Sequence, residues 1–181
     1  MRVIGVDPGS AVTGYGVVDG DGRNFNRIAS GTIRTRPRDG GALRLRTIYE
    51  RLTSLLDEHL PDAVSLERSF VAENVQSAFR LGEARAMVLL AAAQRDLALF
   101  EYNPTDVKLT VAGYGRADKE QVKFMVRRAF NLADSLELAS DAADALALAL
   151  CHLTIARNPA ALSANAGRSA RRWRISARGT P

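Results

Sequence analysis

Four carboxylates stand at places where a folded chain has little reason to put a bare charge. Asp7 ends the apolar run of RVIGVDPGS, and Glu67 follows Val64 and Leu66 near the end of DAVSLER. Asp141 and Asp144 open SDAADALALALCH. Three residues on a helix amount to about 300° of rotation and about 4.5 Å of rise, so these two lie on one face of a first turn, with Ser140 as a good N-cap. A carboxylate half withdrawn from water needs a hydrogen bond, a partner or a metal, or it takes up a proton. If all converge on one strand end, they repel each other. Hard divalent cations resolve that conflict: Mg²⁺ or Mn²⁺ suits oxygen-only ligands, keeps several waters and accepts phosphate oxygens. Two such ions about 4 Å apart would activate water and stabilise the departing oxygen during in-line attack on a phosphodiester. Metal-dependent phosphoryl transfer is the chemistry these residues point to. Each acid also has a plainer explanation taken alone. Aspartate in a first helical turn suits the helix dipole, aspartate before Pro-Gly suits a turn, and Glu67 can pair with Arg68 or another arginine.

Only a fold that gathers the acids decides between these explanations. Apolar and β-branched patterning predicts strands over 2–7, 13–19 and 25–34, joined by PGS and GDGR turns short enough for antiparallel hairpins. Helical spacing runs over 41–60 through Leu43, Ile48, Leu52, Leu55 and Leu56, and Pro61 stops it before a strand over 62–68. A long helix over 73–95 and a fifth strand over 97–103 follow. The alternation makes the first, fourth and fifth strands parallel, with right-handed crossovers. A short helix from Thr105, the loop VAGYGR, a charged helix over 117–131 and a last helix over 141–157 complete the body. The expected class is α/β, with a mixed five-stranded sheet, an antiparallel three-strand meander plus parallel strands, flanked by helices. Ligand sites of such sheets collect at carboxyl ends of strands, where Asp7 and Glu67 would emerge together.

Bulk properties narrow the function classes. The 181 residues suit one domain, and 46% hydrophobic with 25% charged residues is ordinary for a globular chain. No apolar run is long enough to span a membrane, strand-like sequence from Arg2 leaves no signal peptide, and Cys151 is the single cysteine, so a cytoplasmic location is expected. The net charge of +5 resides in residues 158–181, which hold Arg168, Arg171, Arg172, Arg174 and Arg178 and no acid. Residues 1–157 are formally neutral, so any phosphate-binding surface there must arise from local segregation of charge. A folded domain over 1–157 and a basic, disordered tail over 158–181 are expected.

The motifs VDPGSAVTGYGVV, LERSFVAENVQSAFRLGEARA and SDAADALALALCH, at these intervals, closely resemble the RuvC family of bacterial crossover-junction endodeoxyribonucleases, within the ribonuclease H-like superfamily. The resemblance covers about residues 1–155. It implies that Asp7, Glu67, Asp141 and Asp144 are the catalytic, metal-holding acids. It further implies a homodimer that resolves four-way Holliday junctions in recombination and repair by symmetric nicks. The nicks leave 5′-phosphate and 3′-hydroxyl ends at a short thymine-containing site, and the partners are the RuvA and RuvB branch-migration proteins. By the same resemblance Phe70 stacks at the crossover, and Lys108 and Lys119 sit at the scissile phosphate, Lys119 in a catalytic role.

Arg116, Lys123, Arg127 and Arg128 form a basic strip on their own showing, suited to phosphate contacts that position DNA without reading its sequence. The apolar second half of the helix over 73–95, Met87 to Ala93, offers one face to the sheet and another to a partner. A two-fold dimer matches the approximate symmetry of a junction. Gly113 and Gly115 around Tyr114 mark an adaptable loop or an ordinary turn. His59 at an exposed helix end and His152 two turns past the acids are read as surface or capping residues, with a role for His152 behind the acids left open. Cys151 is read as a core residue. The rivals are an actin-like or sugar-kinase-like ATPase, which normally needs two lobes, a nuclease for RNA:DNA hybrids or transposition, and a junction-binding protein without catalysis, which would need no set of intact acids.

Overall fold

A computed structural model of the chain describes residues 1–9, 11–36, 38–68, 75–133, 135–158 and 172–173. Strands β1 (Arg2–Asp7), β2 (Val12–Gly20) and β3 (Phe25–Arg34) form the expected antiparallel meander. β4 (Ala63–Glu67) pairs parallel with β1, and β5 (Ala98–Tyr102) pairs parallel with β4. The helices are α1 (Gly41–His59), α2 (Val75–Ala93), α3 (Pro104–Ala112), α4 (Lys119–Ala129) and α5 (Ser140–Ala156). The spatial order is β3-β2-β1-β4-β5, extended at the β5 edge by the two-residue β6 (Arg172–Trp173).

β6 departs from the expectation of a structureless tail at those two residues. They pair antiparallel with Leu99 and Phe100, because an edge strand presents unpaired backbone groups to any extended dipeptide that reaches it.

Alternation along the strands sorts side chains to two cores. Val3, Val18, Ala63, Phe100 and Tyr102 join the core built on α5, whereas Ile4, Val6, Val17, Val64, Leu66 and Leu99 join Ile48, Leu52, Ala84 and Val88 of α1 and α2. By the same period-two rule Asp7 and Glu67 point to the α5 side.

α5 lies against the sheet backbone itself. A Cβ at Gly5 would stand 2.0 Å from the Ala145 carbonyl oxygen, and one at Gly14 would stand 1.9 Å from that of Asp141. Ser65 Oγ also donates to the Leu148 carbonyl at 2.8 Å. The Ala- and Leu-rich run that reads as a buried helix is therefore buried by glycine-permitted contact, which draws the first turn of α5 toward the end of β1.

Some local readings change. Ala139, not Ser140, is the N-cap of α5, with no side-chain cap bond, because the helix begins one residue earlier than expected. His152 is fully buried rather than a surface or capping group. Its Nδ1 shares a 2.6 Å hydrogen bond with the Tyr102 hydroxyl, its ring lies 4.3 Å from that of Phe100, and its Nε2 has no partner among the described residues. Burial pushes its pKa down to about 4. His59 is also mostly covered, its side chain 12% exposed, because the end of α1 packs beside Arg2, whose guanidinium donates to the His59 carbonyl. Cys151 is buried as expected.

Candidate active site

Each acid is placed by a separate piece of local chemistry. β1 and β4 run in parallel register, Val6 beside Leu66, so both strands end in an acid at the same edge. The turn after Asp7 is fastened by fully buried Thr13, whose hydroxyl donates to the Gly9 carbonyl at 3.3 Å. The start of α5 supplies Asp144. Opposite them, Pro104 opens α3 and carries the chain to Lys108. A capping box then fixes the start of α4: the Asp118 carboxylate accepts from the Gln121 backbone at 2.8 Å, and the Asp118 N–H donates to the Gln121 side chain at 3.0 Å. Lys119 is consequently held at the first helical residue.

A cleft of about 310 Å³ results, lined by Asp7, Glu67, Asp144, Lys108 and Lys119 with an apolar floor of Val107, Val122, Ala147 and Leu148. Burial pushes Asp7 up to about 7, helped by repulsion from Glu67, Asp144 and Asp141 and opposed by Lys119. Glu67 is raised by burial and then by Asp144, against Lys119 and Lys108. Asp144 is raised by burial, with Lys119 pulling the other way. The Lys119 Nζ stands 3.6 Å from Asp144 Oδ2, and its side chain is 77% exposed, which leaves it free to engage a ligand at the cleft mouth.

The site concentrates more negative charge than its own lysines neutralise. All its acidic donors are carboxylate oxygens, which fits a hard divalent cation by ligand type. Among the described residues no three acidic, histidine or cysteine side chains are already gathered as a metal cluster. The fit thus lies in donor chemistry and in the shared cleft.

The structure brings together Asp7, Glu67, Asp144, Lys108 and Lys119 as expected. Asp141 does not line the cleft, although its charge reaches Asp7 and Asp144. Arg116 is exposed and Lys123 half-buried, both outside the cleft lining. Phe70 lies outside the described residues.

One member of the expected basic strip, Arg127, is engaged within the protein. Arg127 donates to the backbone carbonyls of Leu136 and Ala133, tying α4 to the loop after it, and the Arg128 guanidinium lies 6.0 Å over the Phe124 ring. Sequence reasoning also missed Glu101, which is 4% exposed and pairs with Arg85 and Arg68. Its signal was an acid between Phe100 and Tyr102 in a strand apolar on both faces.

The model of the family described as crossover junction endodeoxyribonuclease RuvC matches residues 3–152. The RuvC of Halorhodospira halophila is 49% identical over 151 residues, covering 83% of this chain and 89% of that relative. The RuvC of Pseudothermotoga lettingae is 41% identical over 155 residues, covering 86% and 95%. Among solved structures, T. thermophilus RuvC in complex with Holliday junction substrate superposes with a TM-score of 0.82 at 35% identity, covering 87% of this chain and 95% of that one. The yeast mitochondrial Holliday junction resolvase Ydc2 shares the fold at a TM-score of 0.62 and 15% identity, covering 92% and 83%. With strand tips, helix start and overall similarity in agreement, the chain belongs to the RuvC family of crossover junction endodeoxyribonucleases.

Proposed function

We propose that this chain is a structure-selective endonuclease that resolves four-way Holliday junctions in homologous recombination and DNA repair. The observation that carries the reading is the acidic cleft: Asp7, Glu67 and Asp144 share it with Lys108 and Lys119. Asp7, Glu67, Asp141 and Asp144 hold Mg²⁺ or Mn²⁺, two ions per site, through carboxylate oxygens. When bound, such ions supply an activated water and stabilise the leaving oxygen of a phosphodiester, giving 5′-phosphate and 3′-hydroxyl ends. Lys119 and Lys108 approach the scissile phosphate and meet the charge that develops on it. Arg116 and Lys123 touch flanking phosphates, and Phe70 stacks on an unpaired base near the crossover, a contact worth about 1–3 kcal/mol.

The working form is a homodimer making paired, symmetric nicks. α2 leaves Val75 at 72%, Phe79 at 69% and Leu90 at 43% exposure, an apolar face that a second copy would cover. RuvA and RuvB are its partners in branch migration, the cytoplasm its location, and residues 1–157 its nuclease domain, whose sheet the basic segment 158–181 joins at Arg172–Trp173. Among the described residues no helix is long and apolar enough to cross a membrane.

The test compares a labelled mobile four-way junction, a plain duplex and an RNA:DNA hybrid, with and without Mg²⁺. Symmetric cutting of the junction alone, abolished by chelator, is expected. Equal cutting of duplex or hybrid, or unchanged cutting in chelator, would overturn the reading.

A further inference from the structure

On the sheet face opposite the cleft lies a second charged group. Glu101 of β5 is beside Leu66 in the β4 register, one step back from the Glu67–Tyr102 pair, and points toward α2. Its side chain is 6% exposed. Arg85 of α2, 18% exposed, reaches it with Nη2, while Nη1 of the same guanidinium donates to the Glu67 carbonyl at 2.7 Å. Arg68 approaches the other carboxylate oxygen, its Nε 3.9 Å from Glu101 Oε2, while its backbone N–H donates to the Tyr102 carbonyl at 2.8 Å. One planar fork therefore spans a buried carboxylate and the peptide from which the Glu67 side chain projects.

We propose that Arg85 and Glu101 are positioning residues for Glu67: the Arg85 fork, locked by Glu101, fixes the last peptide of β4 so that the Glu67 carboxylate faces Asp7 and Asp144 across the cleft. The proposal rests on Glu67 being one of the catalytic acids. Its physical basis is that β4 ends at Glu67, where the Arg68 N–H still bonds the Tyr102 carbonyl while the Glu67 carbonyl is held by the Arg85 side chain, and the acid must be held to a fraction of an ångström. Arginine suits the task because its donors form a rigid fork, whereas lysine offers one compact charge that cannot span two acceptors with the same geometry. Partners that orient a metal-holding residue from behind change metal affinity or activity about 10- to 100-fold when lost. A purely structural ion pair, which would merely dock α2 on the sheet, predicts lost stability instead.

The experiment uses the full chain and two variants. Arg85→Lys keeps charge opposite Glu101 and removes the fork. The double variant Arg85→Met/Glu101→Gln removes both charges at similar volume, which avoids stranding one of them in the interior. Four quantities are read: melting temperature, junction affinity in chelator, single-turnover cleavage rate at saturating enzyme, and the shift in melting temperature produced by Mn²⁺ alone. Both variants are expected to melt near wild type and bind the junction within about twofold, yet to cleave about 10- to 100-fold more slowly, with a smaller Mn²⁺-induced shift. Wild-type rate in either folded variant overturns the proposal. So does a rate loss matched by loss of junction affinity or of the melting transition in both, since that makes the pair structural only. Failure of the wild type itself to cut the junction would instead break the functional reading.

Discussion

The two faces of the sheet at the β4–β5 end bury charge in opposite ways. On the α5 side Asp7, Glu67 and Asp144 share a cleft with Lys108 and Lys119, and burial and mutual repulsion raise all three acids. On the α2 side a single carboxylate, Glu101, meets two guanidiniums. The strands are the same and the residues neighbours, so depth alone does not explain the contrast. What differs is whether the protein supplies the compensating charge itself. A carboxylate clamped by arginines is complete and serves architecture or positioning. On the proposed function, acids left in excess would serve a cation and a phosphate from outside, and the protein without them bears the destabilisation.

The contrast breaks most sharply at Asp7. Asp7→Asn is expected to lower junction cleavage roughly 10²- to 10⁴-fold while affinity measured in chelator persists, because a neutral amide is a poor ligand yet fills the same space. Cleavage at the wild-type rate would place the chemistry elsewhere.

Glu101→Ala should carry a cost that Asp7→Asn does not, about 3 kcal/mol in denaturant unfolding, since it leaves buried positive charge uncompensated. A variant as stable as wild type would show that the α2 side tolerates its arginines alone.

The same comparison has a pH signature. In the folded protein Asp7 keeps its proton up to about pH 7, against an ordinary value of 3.8, so between those values the native state binds more protons than the unfolded chain. Stability in chelator should therefore fall as pH rises through that window. Glu67 and Asp144, raised in the same direction, add to the trend. Urea unfolding at pH 5 and pH 7.5 reads it. Asp7→Asn should flatten the dependence and stabilise the chelated protein at pH 7.5 by about 1–3 kcal/mol, a Tm rise of roughly 2–10 °C.

Smaller effects sharpen the role of the lysines. Lys119→Met should change stability by less than about 0.5 kcal/mol, because its ion pair with Asp144 is largely exposed, yet slow cleavage about tenfold. Lys123→Ala should only lower the slope of log affinity against log salt by about one.

Much of this was legible beforehand because it depends on periodicity. Strands of period two ending in Asp7 and Glu67, and a helix beginning at the aspartates, need only local pattern, so the sheet, its parallel half and the meeting of Asp7, Glu67 and Asp144 followed. Lys108 and Lys119 entered through family resemblance. Their nearness to the acids could not be read from spacing, since it depends on how α3 and α4 fold back over the strand ends. The misreadings share one cause. His152 and Glu101 are polar residues in apolar elements, and Arg127 is a charge on a surface helix. For each of the three a partner distant in sequence, or a loop carbonyl, decides the outcome. The extra strand at Arg172–Trp173 is similar, because backbone pairing at an edge asks little of the side chains.

By itself the sequence determined which residues alternate, which segments are apolar and where charge interrupts them, since these are properties of neighbours along a chain. Only the tertiary structure decided which buried charges find partners. Compensation depends on distances between atoms that the sheet and its crossovers bring together, such as Arg85 against Glu101 and the Glu67 carbonyl.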